Sequence, residues 1–310
     1  MAEDVRLAAA YASCARDGRR HYENFPVGSL LLPSGMRPHV AAVYAFARAA
    51  DDFADEGQRS VTERLDLLDG WLRRLRDSAA GGETLPGIRP GEPSHTPEIF
   101  LALGASIRAC SLPVGLLEDL LSAFCQDVTV TRYATWTDLL DYCRRSANPV
   151  GRLVLRIAGH SDAQMDAWSD AICSGLQLTN FWQDFKVDYD RGRIYLPREE
   201  QRTHGAREED LSAGVMTPAW QKSLSAAIVG TRQLFDAGRP LCDTVRGRLK
   251  YELRATWLGG TRMLDRLATS RGEGMHHRPT VGCADASWFV WRLLTWSSPR
   301  LPLAYRPRSS

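Results

Sequence analysis

The 310-residue chain is 44% hydrophobic and carries a net charge of only +2, enough apolar material for a large core and too little charge for a general nucleic-acid binder. Its seven scattered cysteines contain no CxxC pair, which predicts reduced thiols and no zinc site. No run reaches the ~18 apolar residues of a membrane span, and the Met1-Ala2-Glu3-Asp4 start lacks the charged and apolar regions of a signal peptide, so a cytoplasmic protein is expected.

Apolar residues recur at three- and four-residue spacing through 5–15, 38–54, 61–76, 97–109, 115–127, 136–158, 163–187, 217–237, 240–269 and 285–296. Each segment reads as a helix, and no run alternates long enough to support a sheet. Glycines and prolines between 80 and 97 predict a long surface loop, and 190–197 predicts another. No linker separates two cores. The expectation is an all-α bundle forming a single domain over 1–310.

Two acidic segments carry the chemistry. Asp51 and Asp55 lie four residues apart at the end of the second helix, and Asp184 and Asp188 repeat that spacing. On a helix the spacing stacks two carboxylates on one face, where they repel unless a cation lies between them. Mg²⁺ prefers such oxygen ligands and usually bridges one or two carboxylates to substrate phosphates. Arg48 shares the face of Asp51, as an ion-pair partner or a phosphate ligand; Val43, Phe46, Ala47 and Ala50 form the expected buried stripe. Gln177, Asn180, Asp184 and Asp188 make a second polar stripe beside Leu178, Phe181 and Trp182. Polar groups in apolar surroundings need partners, which favours a ligand cavity over a solvated face. Arg191, Gly192, Arg193 and Tyr195 follow in a loop suited to closing over phosphates as a flap.

The run Val43 to Asp55, with Ala-Arg-Ala-Ala-Asp-Asp-Phe-Ala-Asp at its end, resembles the first aspartate motif of the squalene/phytoene synthase family. Leu176 to Asp188, followed by Arg-Gly-Arg-Ile-Tyr-Leu-Pro at 191–197, resembles the second. Tyr142-Cys143 with Val150-Gly151 is similar to the central tyrosine segment, and His21 with Phe25 and Leu32-Pro33 to an N-terminal phosphate-side segment. The likeness runs through about residues 10–270 in order. It implies an isoprenoid-synthase helical bundle around a central cavity, with Mg²⁺-dependent chemistry on prenyl diphosphates, Mn²⁺ being able to substitute. His21, Asn24, Arg48, Gln177, Asn180, Arg191, Arg193 and Tyr195 become candidate substrate ligands; Asp51, Asp55, Asp184 and Asp188 become metal ligands.

Two departures choose a branch. Asn148 and Pro149 stand where the family usually has a glycine and its neighbour, and Glu23-Asn24-Phe25-Pro26 replaces a serine-containing run. Both resemble the hydroxysqualene synthase branch of hopanoid biosynthesis. That likeness implies presqualene diphosphate as substrate, water capture of the rearranged cation, and no NADPH. Tyr142, Asn148 and Arg48 are then the candidate catalytic residues, Tyr142 facing the cation and Asn148 holding a water. The alternatives are a head-to-head prenyl transferase making presqualene diphosphate, squalene or a phytoene-type product, and a non-catalytic relative, which the intact aspartates argue against. The aromatic stretch Trp288 to Trp296 suits either a packed last helix or transient contact with a membrane surface, where neighbouring pathway enzymes would also be met.

Overall fold

The computed structural model describes residues 2–20, 31–82, 87–269 and 285–296. Their regular structure is helical: α1 (Ala2–Arg20), α2 (Arg37–Asp55), α3 (Val61–Ala79), α4 (Thr96–Cys110), α5 (Val114–Asp127), α6 (Trp136–Ser146), α7 (Asn148–Ile157), α8 (Ala163–Gln183), α9 (Phe185–Asp190), α10 (Arg198–His204), α11 (Glu208–Ser212), α12 (Pro218–Gly238), α13 (Leu241–Thr244), α14 (Gly247–Thr269) and α15 (Ala286–Leu294). One isolated parallel bridge, Arg132 to Ile194, is the extent of β pairing among the described residues.

The buried apolar side chains form two clusters. One gathers α1 to α5 around Phe46, Phe53, Trp71 and Phe100. Trp71 is fully buried and donates through Nε1 to the Phe46 carbonyl at 3.1 Å, which ties α3 to the middle of α2. On α2 itself Ala47 is only half-buried, while Phe53 and Ala54 extend the buried face to the aspartates. The other cluster is built on α6, α8, α12 and α14. The short helix α7 contributes Leu153 to the first cluster and Leu155 to the second.

Helices α8 and α12 pack antiparallel. Trp182 donates to Thr231 Oγ1 at 2.8 Å near one end, and Gly238 meets Trp168 and Ile172 at the other. A Cβ on Gly238 would lie 2.6 Å from the Trp168 carbonyl oxygen, so this crossing requires glycine.

Three of the expected helices are divided. The segment 136–158 breaks at Ala147, because Pro149 lacks the N–H that would continue α6. The segment 163–187 breaks at Asp184, and 240–269 becomes α13 and α14, with Val245 and Arg246 between them and Gly247 at φ +68° opening α14. The six described cysteines are free thiols. No helix among the described residues is long and apolar enough to cross a membrane.

Candidate active site

The two acidic segments meet through Arg193. Its guanidinium donates to both Asp55 carboxylate oxygens, at 2.7 and 3.2 Å, and to the backbone carbonyl of Asp127 at 3.1 Å. Arg193 is placed by the loop after α9. Its N–H donates to the Asp188 carbonyl at 2.8 Å, and the next residue, Ile194, donates to Thr131 at 3.0 Å. The expected flap is therefore largely anchored: Ile194, Tyr195 and Leu196 are buried, and only Arg191 and Gly192 form an exposed tip. The apolar Ile-Tyr-Leu run is what fixes the loop, and Gly192 at φ +81° makes the turn that lets it leave α9.

At the end of α2, Arg48 is held by three carboxylates: Asp52 at 2.5 Å, Glu56 at 2.9 Å and Asp51 at 3.5 Å. Asp52 and Glu56 thus both face Arg48. On the other side, Asp184 ends α8 and begins α9. The i→i−4 bonds still run from Asp184 to Asn180 (2.8 Å) and from Asp188 to Asp184 (2.9 Å) across the break, so the polar stripe keeps its register. Asn180 Nδ2 donates to Asp184 Oδ2 at 3.3 Å, and Gln177 is half-buried on the same stripe.

The electrostatics describe a site short of positive charge. Burial, then the neighbouring Asp55, pushes Asp51 up to about 6 against the pull of Arg48. Burial and Asp184 push Asp188 up to about 7; Arg193 and Arg191 oppose this and Asp55 adds to it. Asp188 and Asp55 belong to different segments, so their mutual repulsion means the two pairs share one region. Among the described residues no three His, Cys, Asp or Glu side chains gather tightly enough to hold a metal ion by themselves. Pairs of carboxylates rather than a closed cage fit Mg²⁺, which keeps water or substrate phosphate as its remaining ligands.

Tyr142 is set by α6. Thr135 and Asp138 form a capping box at its start, and Tyr142 lies two turns from Thr135. Its hydroxyl donates to Asp127 Oδ2 at 2.7 Å. Asp127, the last residue of α5, is 8% exposed, and its other oxygen has no partner among the described residues. Burial raises it to about 7, Tyr142 and Arg193 pull it down, and Asp55 and Asp51 push it up. Around this pair lie aromatic rings: Tyr195 stacks on Phe181 at 3.6 Å, and Tyr133 lies 5.7 Å from Tyr142 and 5.9 Å from Tyr195.

Asn148 opens α7 and is 6% exposed. Its side-chain oxygen accepts from Ser174 Oγ at 2.9 Å. Ser174 precedes Gln177 by three residues on α8, so it lengthens the polar stripe by one turn and puts Asn148 at the end away from the carboxylates. The candidate ligands His21 and Asn24, with Phe25, lie outside the described residues.

Sequence reasoning missed Asp127 and Ser174. A lone aspartate with no acidic neighbour at helical spacing gives no signal, and its partners Tyr142 and Arg193 are distant in the chain. Ser174 was visible as the next step of the Gln177–Asn180–Asp184 stripe.

The model of the squalene/phytoene synthase family matches residues 18–282. The hydroxysqualene synthase of Rhodopseudomonas palustris is 36% identical over 86% of this chain and 88% of its own. The 15-cis-phytoene synthase of Synechococcus elongatus is 29% identical, covering 74% of each chain. Among solved structures, the squalene synthase HpnC from Alicyclobacillus acidocaldarius is 38% identical, with a TM-score of 0.77 over 87% of this chain and 96% of its own. The chain belongs to the squalene/phytoene synthase family. It is an enzyme of that class, with the all-α isoprenoid-synthase fold.

Proposed function

We propose that the protein is a hydroxysqualene synthase: it ionises presqualene diphosphate, lets the cation rearrange, and ends the reaction with water. The observation that carries this reading is the continuous polar stripe from Asp188 to Ser174, with carboxylates at one end and the buried Asn148 amide at the other. The likeness to hydroxysqualene synthases supports it. The reading treats residues 1–310 as one domain.

In this proposal Asp51, Asp55, Asp184 and Asp188 hold Mg²⁺ or Mn²⁺, whose role when bound is to neutralise charge growing on the leaving diphosphate. Arg191 and Arg193 hold diphosphate oxygens, so Arg193 exchanges Asp55 for substrate. His21, Asn24, Arg48, Gln177 and Asn180 complete the polar contacts. The rings of Tyr142, Phe181 and Tyr195 give the cation an apolar, π-rich wall. Asp127 accepts from the Tyr142 hydroxyl and fixes the ring. The Asn148 amide, its oxygen already occupied by Ser174, has N–H groups to donate to one water. Diphosphate leaves with the electron pair of the broken C–O bond in the first step; after rearrangement the water's oxygen bonds to the cation, and the proton it sheds passes to solvent or to the released diphosphate. No hydride enters, so NADPH is not needed. The product is a long hydrocarbon alcohol, and contact with a membrane surface belongs to the same proposal.

The test is incubation with presqualene diphosphate and Mg²⁺ without NADPH, followed by mass analysis. Hydroxysqualene and diphosphate are the expected products. Turnover of farnesyl diphosphate to presqualene diphosphate instead would support the head-to-head transferase reading.

A further inference from the structure

The end of the bundle opposite the carboxylates carries a different chemistry. Because α8 and α12 are antiparallel, Gly238 lies at the level of Trp168. Sixteen residues of rise separate Trp168 from Asp184, about 24 Å along the helix. The C-terminus of α12, α13 and the start of α14 therefore occupy the far end. Helix α15 reaches the same place. Asp285 before it is held by Arg262 and Arg266, at 3.1 and 2.7 Å, and Trp296 after it packs 5.5 Å from Trp257.

The segment 239–254 holds five basic residues (Arg239, Arg246, Arg248, Lys250, Arg254) against Asp243 and Glu252, a net +3 in a chain whose total is +2. Both acids are turned to other uses. Glu252 is buried, and Asp243 accepts from Arg254 at 2.9 Å and from Trp296 Nε1 at 2.7 Å. Lys250 and Tyr251 lie one turn before Arg254 on the same face of α14. Arg239 and Arg254 cover the Trp296 ring at 4.5 and 4.8 Å, and Arg239, Arg292 and Trp296 line a small open cavity. On α15, Trp288, Phe289 and Leu293 pack against the core, as does Trp296 after it. Trp291, however, is 56% exposed beside Arg292, and Tyr251 is 46% exposed.

We propose that this end is a docking face for a bilayer containing anionic lipid. Exposed tryptophan and tyrosine interleaved with arginine and lysine suit the headgroup layer, where the rings enter the apolar boundary and the cations meet lipid phosphate. The rest of the chain is slightly acidic, so attraction to an anionic surface orients this end toward it. Docked this way, the diphosphate end faces water and the opposite end faces the lipid that takes up a hydrocarbon product. The need for docking rests on the proposed reaction. Docking itself is read without turnover, so the two proposals fail separately.

The test is flotation of the full chain with vesicles of phosphatidylcholine alone and of phosphatidylcholine mixed with phosphatidylglycerol. The wild-type protein is expected to float with the mixed vesicles and to be released by high salt. The triple variant Arg246→Gln, Lys250→Gln, Arg292→Gln should lose about 100-fold in affinity, and Trp291→Ala should weaken binding with circular dichroism unchanged. Diphosphate release in detergent should stay at the wild-type rate in each. Binding to neither vesicle, equal binding to both, or undiminished binding of the triple variant overturns the proposal. A dimer that Trp291→Ala dissolves would assign the face to a second copy of the chain instead, and tighter binding to RNA than to mixed vesicles would assign it to nucleic acid; either also overturns it.

Discussion

Asp51/Asp55 and Asp184/Asp188 have the same spacing and different local structures. The first pair lies at the end of an uninterrupted helix, braced from below by Trp71 and flanked by Arg48. The second straddles a break, with Asp184 closing α8 and Asp188 inside the six-residue α9. The first has rigidity from its core; the second depends on the loop that follows it, where Arg193 reaches across to Asp55. Equal spacing thus gives two half-sites, one fixed by an unbroken helix packed on the core and the other by the buried Ile-Tyr-Leu of the following loop, with the Arg193–Asp55 ion pair joining them.

If both halves hold the same diphosphate–metal assembly, Asp51→Asn and Asp188→Asn should each lower diphosphate release by about 10³-fold with helical circular dichroism unchanged. Near-normal release by either variant breaks the symmetry of roles. Trp71→Ala should separate the halves by stability. Removing this fully buried ring is expected to cost about 3–5 kcal/mol in chemical denaturation, loosening the first half. A loss below ~1 kcal/mol would show that α2 is braced elsewhere. Arg193→Lys keeps the charge and removes the two-pronged contact with Asp55. About tenfold slower turnover is expected in steady-state kinetics, and an unchanged rate would remove Arg193 as the joint.

The smallest effect is with pH. Asp127 and Asp188 titrate near 7 and Asp51 near 6, all above the ordinary 3.8. Between about pH 4 and 7 the folded chain holds protons that the unfolded chain has released, so these groups lower stability as pH rises through that window. Mg²⁺ needs the ionised carboxylates, so the stabilisation it adds should grow over the same range. Thermal unfolding in EDTA and in Mg²⁺ across that range checks both signs. A midpoint in EDTA that climbs from about pH 5 to 7, or a Mg²⁺ increment that does not grow, would contradict them.

Much of the fold was legible because the apolar periodicity is strong: α2 to α5 and α12 fall within a few residues of the expected segments. The breaks were harder. Pro149 announced one as a kink, but the division came two residues earlier, at Ala147. Asp184 carries no breaker signal, and its stripe reads as a continuous helix because the i→i−4 bonds persist across the break. The anchoring of that loop was not legible, because Arg-Gly-Arg reads as a mobile tip whereas the Ile-Tyr-Leu after it is core. Spacing could not show the Tyr142–Asp127 or Arg193–Asp55 contacts, since each joins elements that meet only in the folded chain.

The most direct measurement is the product mixture from Asn148→Ala supplied with presqualene diphosphate and Mg²⁺. The amide is buried and held by Ser174, so its loss removes the proposed water donor while leaving the carboxylate end intact. Ionisation should continue, with products shifted from hydroxysqualene toward olefins formed by proton loss. Hydroxysqualene as the sole product at a lower rate would contradict this, leaving Asn148 a structural residue at the start of α7.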